Sequence, residues 1–473
     1  MIFTMNQKPN KFNKAEIIKK TSIVLFWLLL WEAVNIWVGN DILLVGPITA
    51  VKAFFVNLAK PGFLLNIGTS FGSVLLGLLV GFILGVTLGI VSYRFRLFNE
   101  IFSPFVSMLK SIPVASFVVI LLIWAGPKML ATYISLLIVF PTIYVNVKSG
   151  LEGTGREMLE MAEVFGMSFG RKLLYVYKPA LSPFLKSSLK ISVGMGIKSG
   201  IAAEIIGLPS HSIGERLYMS KISLSTADLF AWTVTIILVG YIMEKIILFV
   251  SDKLLGFYPY PDNNKRVDFS NPDFKQEGCL LFTKISKTFG EKKVLGNNNF
   301  SFELGKNYCV MGPSGCGKTT LFKLMMGLIA PDEGHLESML VLEAGSRKKI
   351  EISTVFQDDR LIEDANSVIN VMAVSGVSRQ VAEEELSKLL EKDVISNPVS
   401  TLSGGQKRRV SIVRAMLAKS DLLLLDEPFT GLDDDAKKKA VNFILDNKQG
   451  RTVVMSSHDK EEAKMMDAKI IQF

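Results

Sequence analysis

Cysteine is nearly missing from this chain, and the three that occur, Cys279, Cys309 and Cys316, show neither metal nor redox spacing. A disulfide framework is thereby excluded, and all three read as reduced thiols of a cytoplasmic portion. No small-residue cleavage site follows the first apolar run, although Lys8, Lys11, Lys14, Lys19 and Lys20 precede it in the manner of a secretory signal. The N-terminus therefore reads as a retained first helix. Charge is ordinary overall, at 21% of residues, but sparse in recurring stretches before about residue 255.

Those stretches are apolar runs of roughly 20 residues, the length a helix needs to cross a bilayer. They account for a mean hydropathy of +0.35 and a hydrophobic content of 49%. After Asn271 the pattern becomes that of a soluble α/β domain, and 473 residues suit two or more domains. Six spans are expected: Ile23 to Val38, Thr69 to Val91, Ile101 to Trp124, Leu130 to Val147, Leu185 to Ile206 and Leu229 to Val250. A net charge of +9 raises nucleic acid as a partner, but many of the basic residues sit at the ends of spans. Arg94 and Arg96 follow the second span, Arg156, Arg171, Lys172 and Lys178 the fourth, and Lys245 and Lys253 close the sixth. Cytoplasmic flanks collect such residues, so both termini face the cytoplasm and no nucleic acid is expected.

Gly77, Gly81, Gly85 and Gly89 recur every fourth residue in the second span. Small residues at this spacing let helices approach closely in lipid, so the stripe reads as packing. Lys110, Lys198 and Glu204 fall within spans, where ionisable groups pair or mark solute paths. For Glu204, near the outer end, simple access to water is the alternative. His211 reads as a surface residue of an outer loop.

Between Phe257 and Glu277 the chain reads FYPYPDNNKRVDFSNPDFKQE, an extended tether rich in proline, asparagine and charge. This places a membrane domain over 1–256, a linker over 257–277 and a second domain over 278–473. The second domain opens on a strand-like YCVMG that runs into GPSGCGKT, followed by a helical FKLMMGLI. That context makes a phosphate-binding loop credible: Gly312, Pro313, Ser314, Gly315, Cys316 and Gly317 turn backbone amides toward a β-phosphate. Lys318 reaches the β- and γ-phosphates, Thr319 offers a hydroxyl to Mg2+, and Thr320 completes the loop. ATP and Mg2+ are the implied ligands. Downstream, LLLLDEP is a buried strand ending in two acids, Asp426 for the magnesium and Glu427 to polarise the attacking water.

The stretch TLSGGQ at Thr401 to Gln406, in this order after the loop, resembles the signature of ATP-binding cassettes. The resemblance runs from about Phe282 to the C-terminus. It implies that Gln357 is the Q-loop glutamine, contacting the γ-phosphate site and metal. It also implies that Ser403, Gly404, Gly405 and Gln406 close on ATP held by a partner domain. Asp433 falls in the D-loop, His458 is the switch histidine, and Phe289 stacks on adenine, a core phenylalanine being the alternative. The membrane half carries EMAEVFGMSFGRKLLYVYKPALSP from Glu160 to Pro183, similar to the EAA loop of importer permeases. There Glu160, Ala162 and Gly166 form a coupling helix that docks on the ATPase, while Met161 replaces the usual alanine with little expected effect. KSIPVASFVVILLIWAG (Lys110 to Gly126) is similar to permeases of the sulfonate, taurine and nitrate group.

The resemblance thus implies an all-α six-span domain followed by an α/β P-loop cassette. It would act as a homodimer in the plasma (inner) membrane, with a cytoplasmic ATPase. An extracellular solute-binding protein would deliver a small polar or anionic solute. An exporter and a membrane-anchored ATPase that moves no solute are the alternatives.

Overall fold

The computed structural model describes residues 14–258, 279–313, 315–337, 339–341 and 347–473. Lys8, Lys11, Ser314 and the tether from residue 259 onward lie outside them. The chain forms two compact units, one ending at Leu151 and resuming over Pro183–Leu254, the other made of Glu152–Ser182 and Leu255–Phe473. The loop resembling the EAA motif is therefore part of the cassette's unit, although both of its neighbours in sequence belong to the helical one.

In chain order the helical elements are α1 (Lys14–Val38), α2 (Pro47–Leu58), α3 (Phe63–Arg94), α4 (Arg96–Ser111), α5 (Val114–Ala125) and α6 (Leu130–Glu152). Two short helices, α7 (Arg156–Val164) and α8 (Phe169–Lys172), lead into α9 (Lys178–Gly207), α10 (Ile213–Ile222) and α11 (Thr226–Gly256). Among the described residues, four segments are long and apolar enough to cross a membrane: Thr21–Val38, Phe63–Arg94, Pro127–Glu152 and Thr226–Gly256. Two of the six expected spans depart from the simple pattern. The third is α4 and α5, bent by 102° at the break. Pro113 favours an extended Ile112, which has φ −77° and ψ 132°, and the helix cannot run through. The fifth, α9, has the length but not the composition, because Lys190, Lys198 and Glu204 fall inside it.

The four stripe glycines of α3, Gly77, Gly81, Gly85 and Gly89, lie against α6 and explain the spacing. A Cβ at Gly77 would sit 2.4 Å from the Thr132 carbonyl oxygen, and one at Gly85 would sit 2.7 Å from the Ile143 Cβ. Gly81 meets Val139 and Gly89 meets Val147 in the same way. The stripe is a packing seam. Glu204 is only 2% exposed and does not reach water as the sequence allowed. It accepts hydrogen bonds from the Ser70 hydroxyl at 2.6 Å and the Gly214 amide at 3.2 Å, tying α3, α9 and α10 together. His211 is exposed, as expected.

The second unit begins with an antiparallel pair, β1 (Cys279–Phe289) and β2 (Lys292–Glu303), then β3 (Asn307–Met311) and α12 (Lys318–Met325). There follow β4 (Glu333–Glu337), β5 (Met339–Val341), β6 (Arg347–Lys349) and β7 (Ile352–Val355). After them come α13 (Ser367–Ser375), α14 (Arg379–Ser387), α15 (Lys392–Ile395), α16 (Gly404–Leu417), β8 (Leu422–Asp426) and α17 (Asp434–Asn447). β9 (Thr452–Ser456), α18 (Lys460–Met465) and β10 (Lys469–Gln472) close the chain. The central sheet is parallel in the order β10-β3-β9-β8-β7, beside a three-stranded antiparallel sheet β2-β1-β4. Every residue of β3, β8 and β9 is buried, as expected of parallel strands covered on both faces.

Candidate functional site: a nucleotide cradle and its docked helix

β3, β8 and β9 are neighbours in the parallel sheet, so their C-terminal ends bring GPSGCGKT, Asp426–Glu427 and Ser456–His458 to one edge. Such edges are where open α/β sheets bind ligands. Gly315 and Gly317 take φ of +80° and +112°, conformations that side chains resist. A Cβ at Gly312 would meet Cys316 Sγ at 2.8 Å. The loop is thus a cradle that any larger residue would fill. Lys318 is buried and its Nζ donates to the carbonyls of Gly312 at 2.7 Å and Pro313 at 3.2 Å, which curls the loop around the ammonium group. Thr319 is exposed at the first turn of α12 and Thr320 is half-buried behind it.

Across the cradle, Ser456 organises the two acids. Its hydroxyl donates to Asp426 Oδ1 at 2.6 Å and accepts from the Glu427 amide at 3.0 Å. The β8–β9 register pairs Asp426 with Ser456 directly, which makes this possible. Burial pushes the Asp426 carboxyl above its usual range, and the Glu427 charge adds to this. The Ser456 hydrogen bond and the Arg408 and Lys318 charges pull it back. Glu427 itself has φ +48°, a strained value for a non-glycine residue. The turn aims its carboxylate at His458, with Oε1 3.1 Å from His458 Nε2. Sequence reasoning missed Ser456, whose only signal is its place at the end of a buried strand two residues before His458.

These residues fit ATP and magnesium. Among the described residues no group of three or more histidine, cysteine or acidic side chains could hold a metal ion alone. Mg2+ ordinarily takes one or two protein oxygens together with substrate phosphates, and Thr319 and Asp426 would supply those. Phe289 ends β1 half-exposed, at 50%, with Lys287 Nζ 5.7 Å from its ring, so it is not a core side chain.

The signature lies apart from this edge in its bonding. Ser403 caps α16, accepting from the Gln406 amide at 3.3 Å, while Gln406 Oε1 accepts from the Ser403 amide at 2.9 Å, a capping box. A Cβ at Gly405 would strike the Gly431 carbonyl at 2.7 Å, so this glycine is required by close packing on the D-loop. Asp433 caps α17, its carboxylate accepting from the Ala436 amide at 2.8 Å. Gln357 is exposed just beyond β7. Its loop is held by α16: Arg408 donates to the carbonyls of Phe356 and Gln357 at 2.5 and 2.6 Å, and Arg414 to those of Asp359 and Arg360 at 2.8 and 2.6 Å. Burial lowers the Arg414 pKa to about 10. The same burial raises Asp359, which Arg408 opposes from 3.3 Å.

Against that loop packs α7. Glu160 Oε2 meets Arg360 Nη1 at 3.1 Å, and the same guanidinium lies 4.0 Å over the Phe356 ring with its side chain only 7% exposed. Met161 and Ala162 are buried in an apolar cluster with Phe356, Ile362, Ile369 and Val374. Met161 is 1% exposed, so its extra bulk sits in the centre of the contact rather than beside it. Gly166 ends α7 at φ +60°, with the Met167 amide bonded back to the Ala162 carbonyl at 2.9 Å, the closure that glycine makes easy.

Comparison with known proteins agrees with this geometry. Residues 295–430 match the family described as ABC transporter, and residues 77–255 match the binding-protein-dependent transport system inner membrane component. The cassette is 32% identical over 206 residues to the ergothioneine transport ATP-binding protein of Helicobacter pylori, covering 41% of this chain and 96% of that one. It is 32% identical over 204 residues to the spermidine/putrescine import ATP-binding protein of Fusobacterium nucleatum, covering 40% and 54%. To the Nod factor export ATP-binding protein I of Burkholderia orbicola it is 34% identical over 197 residues, covering 39% and 64%. The chain thus spans about half to two thirds of the length of the last two relatives. It belongs to the ABC transporter family. Within that family it joins a permease domain of the binding-protein-dependent type to an ABC ATPase domain in one polypeptide.

Proposed function

We propose that the chain is an ATP-driven importer working as a homodimer, with its cassette in the cytoplasm and its permease in the plasma (inner) membrane. The permease would make six crossings, the third a broken span and the fifth the polar α9. The observation that carries the reading is the seating of α7, through Glu160 and Met161, on the loop that also bears Gln357. A nucleotide sensed by Gln357 can thereby act on a segment continuous with α6 and α9. Cassette relatives include both an import and an export protein, so direction rests on the permease half and its binding-protein-dependent description.

In hydrolysis Lys318 and the loop amides would bind the phosphates, and Thr319 and Asp426 would hold Mg2+, which neutralises developing charge. Glu427 would orient and polarise water, and His458 would fix the Glu427 carboxylate. Ser403 to Gln406 of the second copy would close the site, with Asp433 between the copies and Phe289 against adenine. The solute, by resemblance of the third span, would be a small anion or polar molecule such as a sulfonate, nitrate or vitamin precursor. A separate solute-binding protein would deliver it. Reconstitution in proteoliposomes tests this. Uptake that requires ATP and the binding protein supports the reading, and outward flux without that protein replaces it with the exporter.

A further inference from the structure

Helix α9 buries one face and leaves the other bare. Ser192, Val193, Gly196, Ile197 and Ile201 are buried, while Ile191, Met195, Lys198 and Ala202 are exposed along one stripe and Lys190 is exposed at its edge, about 80° around the helix from Lys198. Neither lysine has an ion-pair or hydrogen-bond partner among the described residues. Lys198 lies nine residues before the end of α9 at Gly207, about 13 Å along the axis. Lys190 lies five residues after Leu185, where the expected span begins, about 8 Å along the axis. A lysine stem extends only roughly 6 Å, about half of the roughly 13 Å from Lys198 to the end of the helix, so the ammonium does not snorkel out. Hydrocarbon strongly disfavours a cation there, and ionisable groups in spans face water-filled cavities. Lys186, nearer the cytoplasmic end, does have a partner, Asp252, at 2.7 Å.

We infer that the Lys190–Lys198 stripe of α9 lines an aqueous solute path, closed by the same stripe of a second copy, and that it takes a solute carrying an anionic group. This rests on the homodimeric transporter proposed above and adds the path and the charge class. Four lysines, two from each copy, would face one cavity, and an anion would offset their mutual repulsion. Ile191 and Met195 between them would give the path apolar walls, suited to an anion with a small apolar body.

Full-length protein in proteoliposomes carries the test. A membrane-impermeant amine-acylating reagent is supplied on both faces, and labelled peptides are read by mass spectrometry against Lys128, in the loop before α6. Methanesulfonate is the anionic probe, and dimethyl sulfone at equal ionic strength is its neutral isostere. Both stripe lysines should be acylated, and methanesulfonate at twice its dissociation constant should slow this about threefold. Dimethyl sulfone should leave the rate unchanged. With Lys198→Gln, protection of Lys190 should disappear. Labelled Lys128 with unlabelled Lys190 and Lys198 puts the stripe in lipid and overturns the proposal. Labelling that both probes affect equally overturns the anionic class. Cross-linking and ATPase assays on the same vesicles separate the two readings. An active dimer with an unlabelled stripe rejects only the path, whereas an inactive monomer rejects the transporter reading beneath it.

Discussion

Asp426 and Glu427 are adjacent acids with opposite requirements. The first is buried and, in the proposed role, would need its charge for a metal, while the second is partly open and held in a geometry that its φ of +48° makes costly. Glu427→Gln keeps the size and the turn but removes the base. ATPase turnover should fall by about 10²–10⁴-fold, the range for a positioned acid–base group, with ATP-bound dimers accumulating on size exclusion. Normal hydrolysis would show that another group polarises the water. Asp426→Asn separates stability from function. Because burial raises this carboxyl, the native state binds its proton more tightly than the unfolded chain. Its contribution to stability is therefore present at low pH and lost as pH rises through the native pKa. At pH 7 the variant, freed of a buried charge, should be more stable by about 0.5–2 kcal/mol while losing Mg2+-dependent hydrolysis. The gain should vanish below the ordinary carboxylate range, as followed by thermal melts across pH.

Among the elements, α3 and α7 show what periodicity reveals and what it hides. The four-residue glycine stripe was legible as packing, and its prediction is sharp. Gly77→Ala drives a methyl into the Thr132 carbonyl and should destabilise the helical unit by about 1–3 kcal/mol. Gly72→Ala on the same helix meets nothing within 4 Å and should be neutral or slightly stabilising, both read by melting in detergent. The phosphate loop, the acidic strand end and the signature were equally legible, because each is a local sequence whose spacing dictates its own backbone. Contacts between distant segments were not. Nothing in the spacing said that Arg360, 200 residues from Glu160, would bond it. Nor did it say that Met161 would occupy the middle of that contact. The bend at Pro113 left a signal, but hydropathy over the whole run concealed it. A double-mutant cycle tests the docking pair. Glu160→Ala and Arg360→Ala should show a coupling energy of about 0.5–3 kcal/mol in cassette-unit stability, with uptake lost and basal ATPase retained. Additive effects would mean that the apolar cluster alone seats α7.

For the whole molecule the decisive matter is whether one nucleotide site is built from one chain or two. Among the described residues, the side-chain hydrogen bonds of Ser403 and Gln406 stay within their own capping box, and those of the Lys318 ammonium stay within the phosphate loop. The two halves of the proposed site are thus separately finished pieces, as expected if each meets the other's counterpart across a two-fold axis. Co-purified heterodimers distinguish the cases. Suppose one copy carries Lys318→Ala and the other Ser403→Arg. If sites form across the copies, one site collects both lesions and the other is intact, so hydrolysis should remain at about half of wild type for independent sites. Placing both substitutions in one copy opposite a wild-type partner should instead spoil each site once and leave almost no activity. Sites built within single chains would give the reverse order, because the singly substituted copies would both be damaged while the wild-type copy would keep its own. The ranking of these two heterodimers reports the partnership of the cassettes without knowledge of the solute, the binding protein or the lipid.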